Sequence, residues 1–199
     1  MGRRTRTEML DATRQALIDA GRRHFGEVGY AATSMDDLTA SASLTRGALY
    51  HHFGGKSGLL AAVVEAVDAE LGVSLDAAAA EAPDPLGALT ARCVAYIELT
   101  QAPDVQQILF HDAPSVLPAA VESSTASCIR SITDAIDRAQ RAGEVSTQVR
   151  ASTLAVLLNG ALVDASRWVA AGRSEDHAAR QTEAIAAARL IVARLGSRR

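Results

Sequence analysis

The sequence predicts an all-α protein, and three observations carry that prediction. Alanine and leucine recur at helical spacing, valine and isoleucine are thinly spread, and aromatic side chains make up only 4% of the 199 residues, so strands find little support. With 48% of its residues apolar, a chain of this length can bury a sizeable core without disulfides or metals. A Pro83-Asp84-Pro85 cluster is the clearest break in the helical pattern.

The elements follow in order. Leu17, Ala20, Gly21, His24, Phe25 and Val28 form one stripe of an amphipathic first helix, which Gly29 ends. Thr33 and Ser34 supply hydroxyl caps ahead of Met35, and Asp36 and Asp37 sit where the positive end of a helix favours carboxylates. That second helix is short and stops near Ala42. After the turn Ala42-Ser43-Leu44, a third helix starts around Thr45 and ends before Gly54 and Gly55.

Lys56 and Ser57 open a long fourth helix through Leu59, Val63, Val67 and Leu71 toward Ala80. Beyond the proline cluster the pattern gives helices over residues 86–100 and 104–111, a loop over 114–118, and a helix over 119–142 with Ile129, Ile132, Ile136 and Ala139 on one stripe. Gly143 caps that helix, and two more follow over 151–171 and 175–195, separated by Gly172.

Charge and cysteine usage narrow the class. The chain carries a formal −3, yet residues 1–56 hold Arg3, Arg4, Arg6, Arg14, Arg22, Arg23, Arg46 and Lys56 against six acids. A basic front half points toward an anionic partner. The arginines at 3, 4 and 6 read equally as a minor-groove arm or as a disordered tail. Cys93 and Cys128 form no CxxC pair, so neither a structural zinc nor any other metal or cofactor is expected, and HExxH spacing is absent. No apolar run reaches membrane-spanning length, and no apolar segment follows the N-terminal arginines as in a secretion signal. The expected location is cytoplasmic.

The stretch LTRGALYHHFGGK, residues 44–56, carries the functional signal. A short helix, a tight turn and a second short helix with polar residues at its front form the unit that lays a recognition helix in the DNA major groove. Its motif covers about residues 34–53, with Leu38, Ala42, Leu44 and Leu49 as its core. Thr45, Arg46, Gly47, Ala48, Tyr50 and His51 then face outward. Arg46 can donate a bidentate pair to guanine O6 and N7, Gly47 lets backbone approach the groove, and the Ala48 methyl can meet that of thymine. Tyr50, His52 and Lys56 suit phosphate oxygens, as do Thr33 and Ser34.

The run FGEVGYAATSMDDLTASASLTRGALYHHFGGKSGLL resembles the DNA-binding domain of TetR-type transcriptional regulators. The shared features are Phe-x-x-x-Gly-Tyr at Phe25–Tyr30, Thr33-Ser34, Gly-x-Leu-Tyr-x-His-Phe at Gly47–Phe53, and Phe-x-x-Lys ending at Lys56. The match covers roughly the first 60 residues. The resemblance implies a helix-turn-helix DNA-binding domain over residues 1–56 and a helical effector-binding and dimerisation domain over 57–199. It assigns base readout to Thr45, Arg46, Gly47, Ala48 and His51, and phosphate contact to Thr33, Ser34, Tyr50, His52 and Lys56. Two positions depart from the pattern. Ser43 stands where a turn glycine is usual, which puts a non-glycine residue at positive φ, and His24 replaces a leucine on the core face of the first helix.

The C-terminal part gives broader signals. Leu154, Leu157, Leu158, Ala161, Leu162, Ala165 and Val169 lie on adjoining stripes too wide for one core, and the last helix offers Ile185, Ala188, Ile191, Val192 and Leu195 with many alanines that permit close approach; Leu154, Leu158, Ala161, Leu162 and Ala165 with those five are the interface candidates. Two such helices from each of two subunits would form a four-helix homodimer interface, and two half-sites on DNA call for two subunits. A fully buried pair within a monomer is the plainer alternative. Candidate lining residues for an effector pocket are Tyr96, Ile97, Ile108, Phe110, His111, Leu117, Cys128, Ile132, Asn159 and Val163. Their apolar character favours a hydrophobic or amphipathic small molecule, whose binding would tilt the fourth helix and change the separation of two recognition helices.

The expectation is therefore a homodimeric repressor acting on a palindromic double-stranded DNA operator, and not an enzyme, because no catalytic constellation is identifiable. Two other readings stand beside it. One is a helical small-molecule carrier or enzyme with a vestigial motif; the other is a regulator with no small-molecule effector.

Overall fold

A computed structural model describes residues 6–196 of the chain. Its elements are α1 (Arg6–Ala32), α2 (Met35–Ser41), α3 (Arg46–Phe53), α4 (Lys56–Ala80), α5 (Pro85–Leu99), α6 (Pro103–Val105), a π-helical stretch (Gln106–Asp112), α7 (Ala113–Val116), α8 (Pro118–Arg141), α9 (Ala151–Ala170) and α10 (His177–Leu195). Arg3 and Arg4 of the N-terminal arm lie outside the described residues.

Local chemistry sets several of these boundaries. Ser34 caps α2, its Oγ accepting from the amides of Asp36 and Asp37. Thr45 caps α3 by accepting from the Ala48 amide at 3.2 Å. Asp84 caps α5 through the Gly87 amide at 2.6 Å, with Pro85 in the first turn, where its missing N–H costs nothing. Gly29, at φ 79°, kinks α1 where the sequence places its end.

One expected loop is a helix. Residues 114–118 were expected to form a loop, but Ala113–Val116 is helical. Pro114 stands in the first turn, so the proline starts a helix there instead of breaking one.

The chain folds as two compact units. The first combines the residues up to Ala69 with Ala102–Val121. Leu17, Phe25, Leu38, Leu49, Leu59, Leu60, Val63 and Ile108 are all fully buried in it, and each such large side chain stabilises the fold by roughly 1.5–3 kcal/mol relative to exposure. The boundary expected at residue 56 therefore falls inside a unit: Leu59, Leu60 and Val63 of α4, and Ile108, belong to the same unit as the N-terminal helices.

The second unit, Glu70–Gln101 with the residues from Glu122 onward, is built on α5, α8, α9 and α10. Its core holds Leu89, Cys93, Ile97, Ile132, Ile136, Leu158, Leu162, Ala188 and Val192. Two fully buried hydroxyls, Thr100 and Ser166, meet at 2.9 Å within it.

This packing divides the expected dimer stripe. Leu158, Leu162, Ala188 and Val192 are interior to the unit's own core, with Leu154, Ala165, Ile185 and Leu195 half-buried against it. Ala161 and Ile191 are exposed. Successive helical residues point about 100° apart, so the outward apolar surface falls to the neighbouring positions. Leu157 is 68% exposed, and Val156, Trp168 and Leu190 are exposed with it. Between α9 and α10 an open groove of about 390 Å³ is bordered by Ile97, Ala161, Trp168 and Ile191.

Candidate nucleic-acid interface

The α2–turn–α3 unit is anchored from below by Leu38 and Leu49, both with no exposed area. In the turn, Ser43 adopts φ 55°, the left-handed conformation the sequence demands of a non-glycine residue. A side chain there costs on the order of 1 kcal/mol. The Ser43 amide donates to the Ala40 carbonyl and the Leu44 amide to that of Thr39, both at 2.9 Å, so the turn is closed by its own backbone. His24, at the edge of α1, lies 3.0 Å from the Ser41 hydroxyl, ring nitrogen to Oγ.

Buried Leu49 leaves the other faces of α3 to solvent. Thr45, Arg46, Gly47, Tyr50 and His51 are exposed, and Ala48 and His52 half-buried. Tyr50 is 57% exposed. The imidazoles of His51 and His52 meet edge to face with centroids 5.3 Å apart, and His52 also leans on Phe53. Gly54 closes α3 in the left-handed conformation at φ 71°. The chain then turns so tightly into α4 that a Cβ on Gly58 would lie 1.8 Å from the Phe53 carbonyl oxygen.

Lys56 is directed by α1. Its ammonium lies 4.5 Å from the centroid of the Tyr30 ring and 3.4 Å from the Ala31 carbonyl oxygen. These contacts join the two ends of the motif while leaving the charge accessible to an anion.

One of the expected phosphate contacts is not available in the structure. Thr33 is buried, its hydroxyl donates to the Gly29 carbonyl at 2.7 Å and its amide donates to the same oxygen. Both donors close the kinked end of α1, so neither is offered to a phosphate. Ser34 differs: its oxygen accepts from α2, which leaves its hydroxyl hydrogen to donate.

Arg46 keeps its place on the solvent-facing side of α3. It is exposed but engaged, with Nε donating to Oδ1 and Nη2 to Oδ2 of Asp36, both at 2.5 Å. The hydrogen bond to Asp36 raises the Arg46 pKa further above its usual range. Sequence reasoning placed Asp36 at a helix N-terminus and missed this partnership, which joins residues ten apart across the turn. Gly58 was also missed; its only sequence signal is a glycine inside an otherwise helical run.

The expected effector-pocket residues are divided between the units. Ile108, Phe110, His111 and Leu117 belong to the first, and Tyr96, Ile97, Cys128, Ile132, Asn159 and Val163 to the second. Ile97, Ile108 and Ile132 are buried, His111 and Cys128 are exposed, and the rest are half-buried. Of the ten, Ile97 borders the α9–α10 groove.

Comparison with known proteins bears on both halves. A family model described as bacterial regulatory proteins, tetR family, matches residues 17–63. A second, described as tetracyclin repressor-like, C-terminal domain, matches residues 86–195. The crystal structure of a TetR-family transcriptional regulator from Pectobacterium atrosepticum is 45% identical, covers 98% of this chain and 99% of that one, and superposes with a TM-score of 0.84. A SmeT–triclosan complex, 23% identical over 94% of this chain and 92% of that one, shares the fold with a TM-score of 0.72. The HTH-type transcriptional regulator AcrR of Shigella flexneri is 32% identical over 116 residues, 56% of this chain and 54% of that protein. The chain thus spans about half the length of AcrR.

Proposed function

The chain belongs to the TetR family of bacterial regulatory proteins, and from that premise we propose that it is a cytoplasmic, homodimeric repressor that leaves a palindromic DNA operator when a small, mostly apolar effector binds its C-terminal part. The family is one of DNA-binding regulators, not of enzymes. One observation carries the reading: α3 stands on buried Leu49 with Thr45, Arg46, Gly47, Tyr50 and His51 turned to solvent. A polar helix face of this size, flanked by the hydroxyl of Ser34 and the ammonium of Lys56, supplies base-edge donors at its centre and phosphate donors at its rim. The phosphate role expected of Thr33 passes to Ser34, His52, Tyr50 and Lys56.

The second copy of the chain is supported by the apolar side chains that α9 and α10 leave in water. Leu157, Trp168, Leu190 and Ile191 are large and exposed on two neighbouring helices, a cluster that marks an interaction surface on a soluble protein. Pairing two such helices with their copies buries them and presents two recognition helices for half-sites about 34 Å apart.

The effector reading rests on the family and on one orphaned atom. The side-chain oxygen of Gln101, just beyond the end of α5, is buried with no hydrogen-bond partner among the described residues, and a buried acceptor of this kind calls for a donor. A mostly apolar molecule with one donor answers it. Effector binding then acts by preferring one separation of the two recognition helices over the other.

Selection of bound duplexes from a random pool tests the proposal. The expected product is a palindrome whose recovered half-sites change when Arg46 is replaced by alanine. Recovery of unrelated sequences with equal affinity would remove the repressor reading and leave the small-molecule carrier.

A further inference from the structure

Two side chains on the exposed face of the helix-turn-helix unit are arranged more specifically than DNA binding in general requires. Asp36 on α2 and Arg46 on α3 form a two-pronged pair across the turn: Nε to Oδ1 and Nη2 to Oδ2. The pair is open to solvent, with 58% of the arginine side chain and 68% of the aspartate side chain exposed.

The choice of nitrogens matters. A guanidinium carries five N–H donors in a rigid plane, and the pair consumes the side edge, one hydrogen on Nε and one on Nη2. The end edge, made by Nη1 and the second Nη2 hydrogen, stays available. That edge has the spacing of guanine O6 and N7. The Arg46 side chain keeps more than half of its surface open to solvent, and Tyr50, one turn further along α3, is exposed as well.

An arginine on a flexible stem can otherwise swing to a phosphate, which binds it equally well beside any base. A carboxylate at this surface repels phosphates and weakens attachment to every duplex alike. What it contributes in return is discrimination, by disfavouring the unspecific pose.

We infer that Asp36 is a positioning residue for base reading: it holds one edge of Arg46 so that the other edge meets a guanine, and thereby sets the preference for that base pair. The inference rests on the placement of α3 against DNA argued above, and it names a residue that lies outside the recognition helix.

The test uses the full-length protein and the duplex recovered by selection. Replacement of Arg46 by alanine first identifies the guanine whose substitution by adenine no longer matters. Asp36→Asn and Asp36→Ala should then reduce the guanine preference at that base pair by about tenfold, while affinity for an unrelated duplex holds or rises. Asp37→Asn removes an equal charge from the same helix turn but lies outside the pair, and it should keep the preference. Thermal unfolding of all four variants identifies any loss of fold, and the asparagine variant keeps the shape of the aspartate.

An intact guanine preference in both Asp36 variants overturns the inference, as does an equal loss in Asp37→Asn, which would mark a general charge effect. If both specific and unrelated duplexes gain affinity equally, the carboxylate only competes for Arg46, and the inference again fails. A wild-type protein without sequence preference, or an Arg46→Ala protein unchanged at every base pair, overturns the placement of α3 itself. That outcome is distinguished by arising before any Asp36 variant is made.

Discussion

The backbone amide of Tyr30 donates to Oδ2 of Asp112 at 2.8 Å, joining residues 82 apart in the sequence. Gly29 breaks the helical ladder just before it, so the Tyr30 amide needs a partner from elsewhere. The other oxygen of Asp112 accepts from the Gln107 amide group at 3.2 Å, which fixes the carboxylate in place. A hydrogen bond to a charged group contributes about 1.5–3 kcal/mol. Asp112→Ala should lower the unfolding free energy of the protein by about 2 kcal/mol, read from urea unfolding. An unchanged midpoint would mean that water serves the amide equally well.

The glycines flanking the start of α4 separate two kinds of constraint. A Cβ at Gly58 would lie 1.8 Å from the Phe53 carbonyl oxygen, whereas one at Gly54 meets nothing within 4 Å among the described residues but sits at φ 71°. Gly54→Ala should therefore cost only the left-handed penalty, on the order of 1 kcal/mol. Gly58→Ala forces backbone apart and should cost at least about 3 kcal/mol, the upper end of overpacking. Similar melting temperatures for the two variants would contradict this assignment.

Lys56 is set against the Tyr30 ring and the Ala31 carbonyl, a placement suited to a phosphate. Lys56→Ala should weaken binding to specific and unrelated duplexes by a similar factor. The slope of log affinity against log salt should fall by about one. A loss confined to the selected operator would move Lys56 into the base-reading group.

Burial pushes the Cys93 thiol up from its ordinary 9.0 to about 12. Between those values the native state retains a proton that the unfolded chain has released, so stability falls as pH rises from about 9 toward 12. The slope this thiol adds approaches 1.4 kcal/mol per pH unit. Cys93→Ala should remove that contribution and flatten the alkaline limb of an unfolding curve. A thiol reagent at pH 8 should label Cys128, which is exposed, and reach Cys93 only after denaturation. Rapid labelling of both thiols in the native protein would sink the prediction.

What the sequence made legible was local. Ser34 caps the helix it precedes, and Ser43 adopts the conformation implied by its place in the turn. Each signal acts within four residues. The Asp36–Arg46 pair, the buried Thr33 hydroxyl and the Tyr30–Asp112 bond depend on where separate segments meet, and periodicity is blind to that. The same limit explains the outward stripe of α9. A wide apolar face announces two neighbours, but only packing reveals that Leu158 turns inward and Leu157 outward. Apolar character and chain region mark the effector candidates, and neither signal tells in which unit a residue folds.

The segment from Ala102 to Val121 folds with the first unit although the chain has already entered the second. The DNA-reading half is consequently not a cassette that a single cut can excise. A graft ending at residue 69 would strip the Arg22 guanidinium of Asp104, 2.8 Å away, and the Tyr30 amide of Asp112. Chimeras that exchange operator preference between relatives need two junctions and must carry the returning strip along with the N-terminal helices.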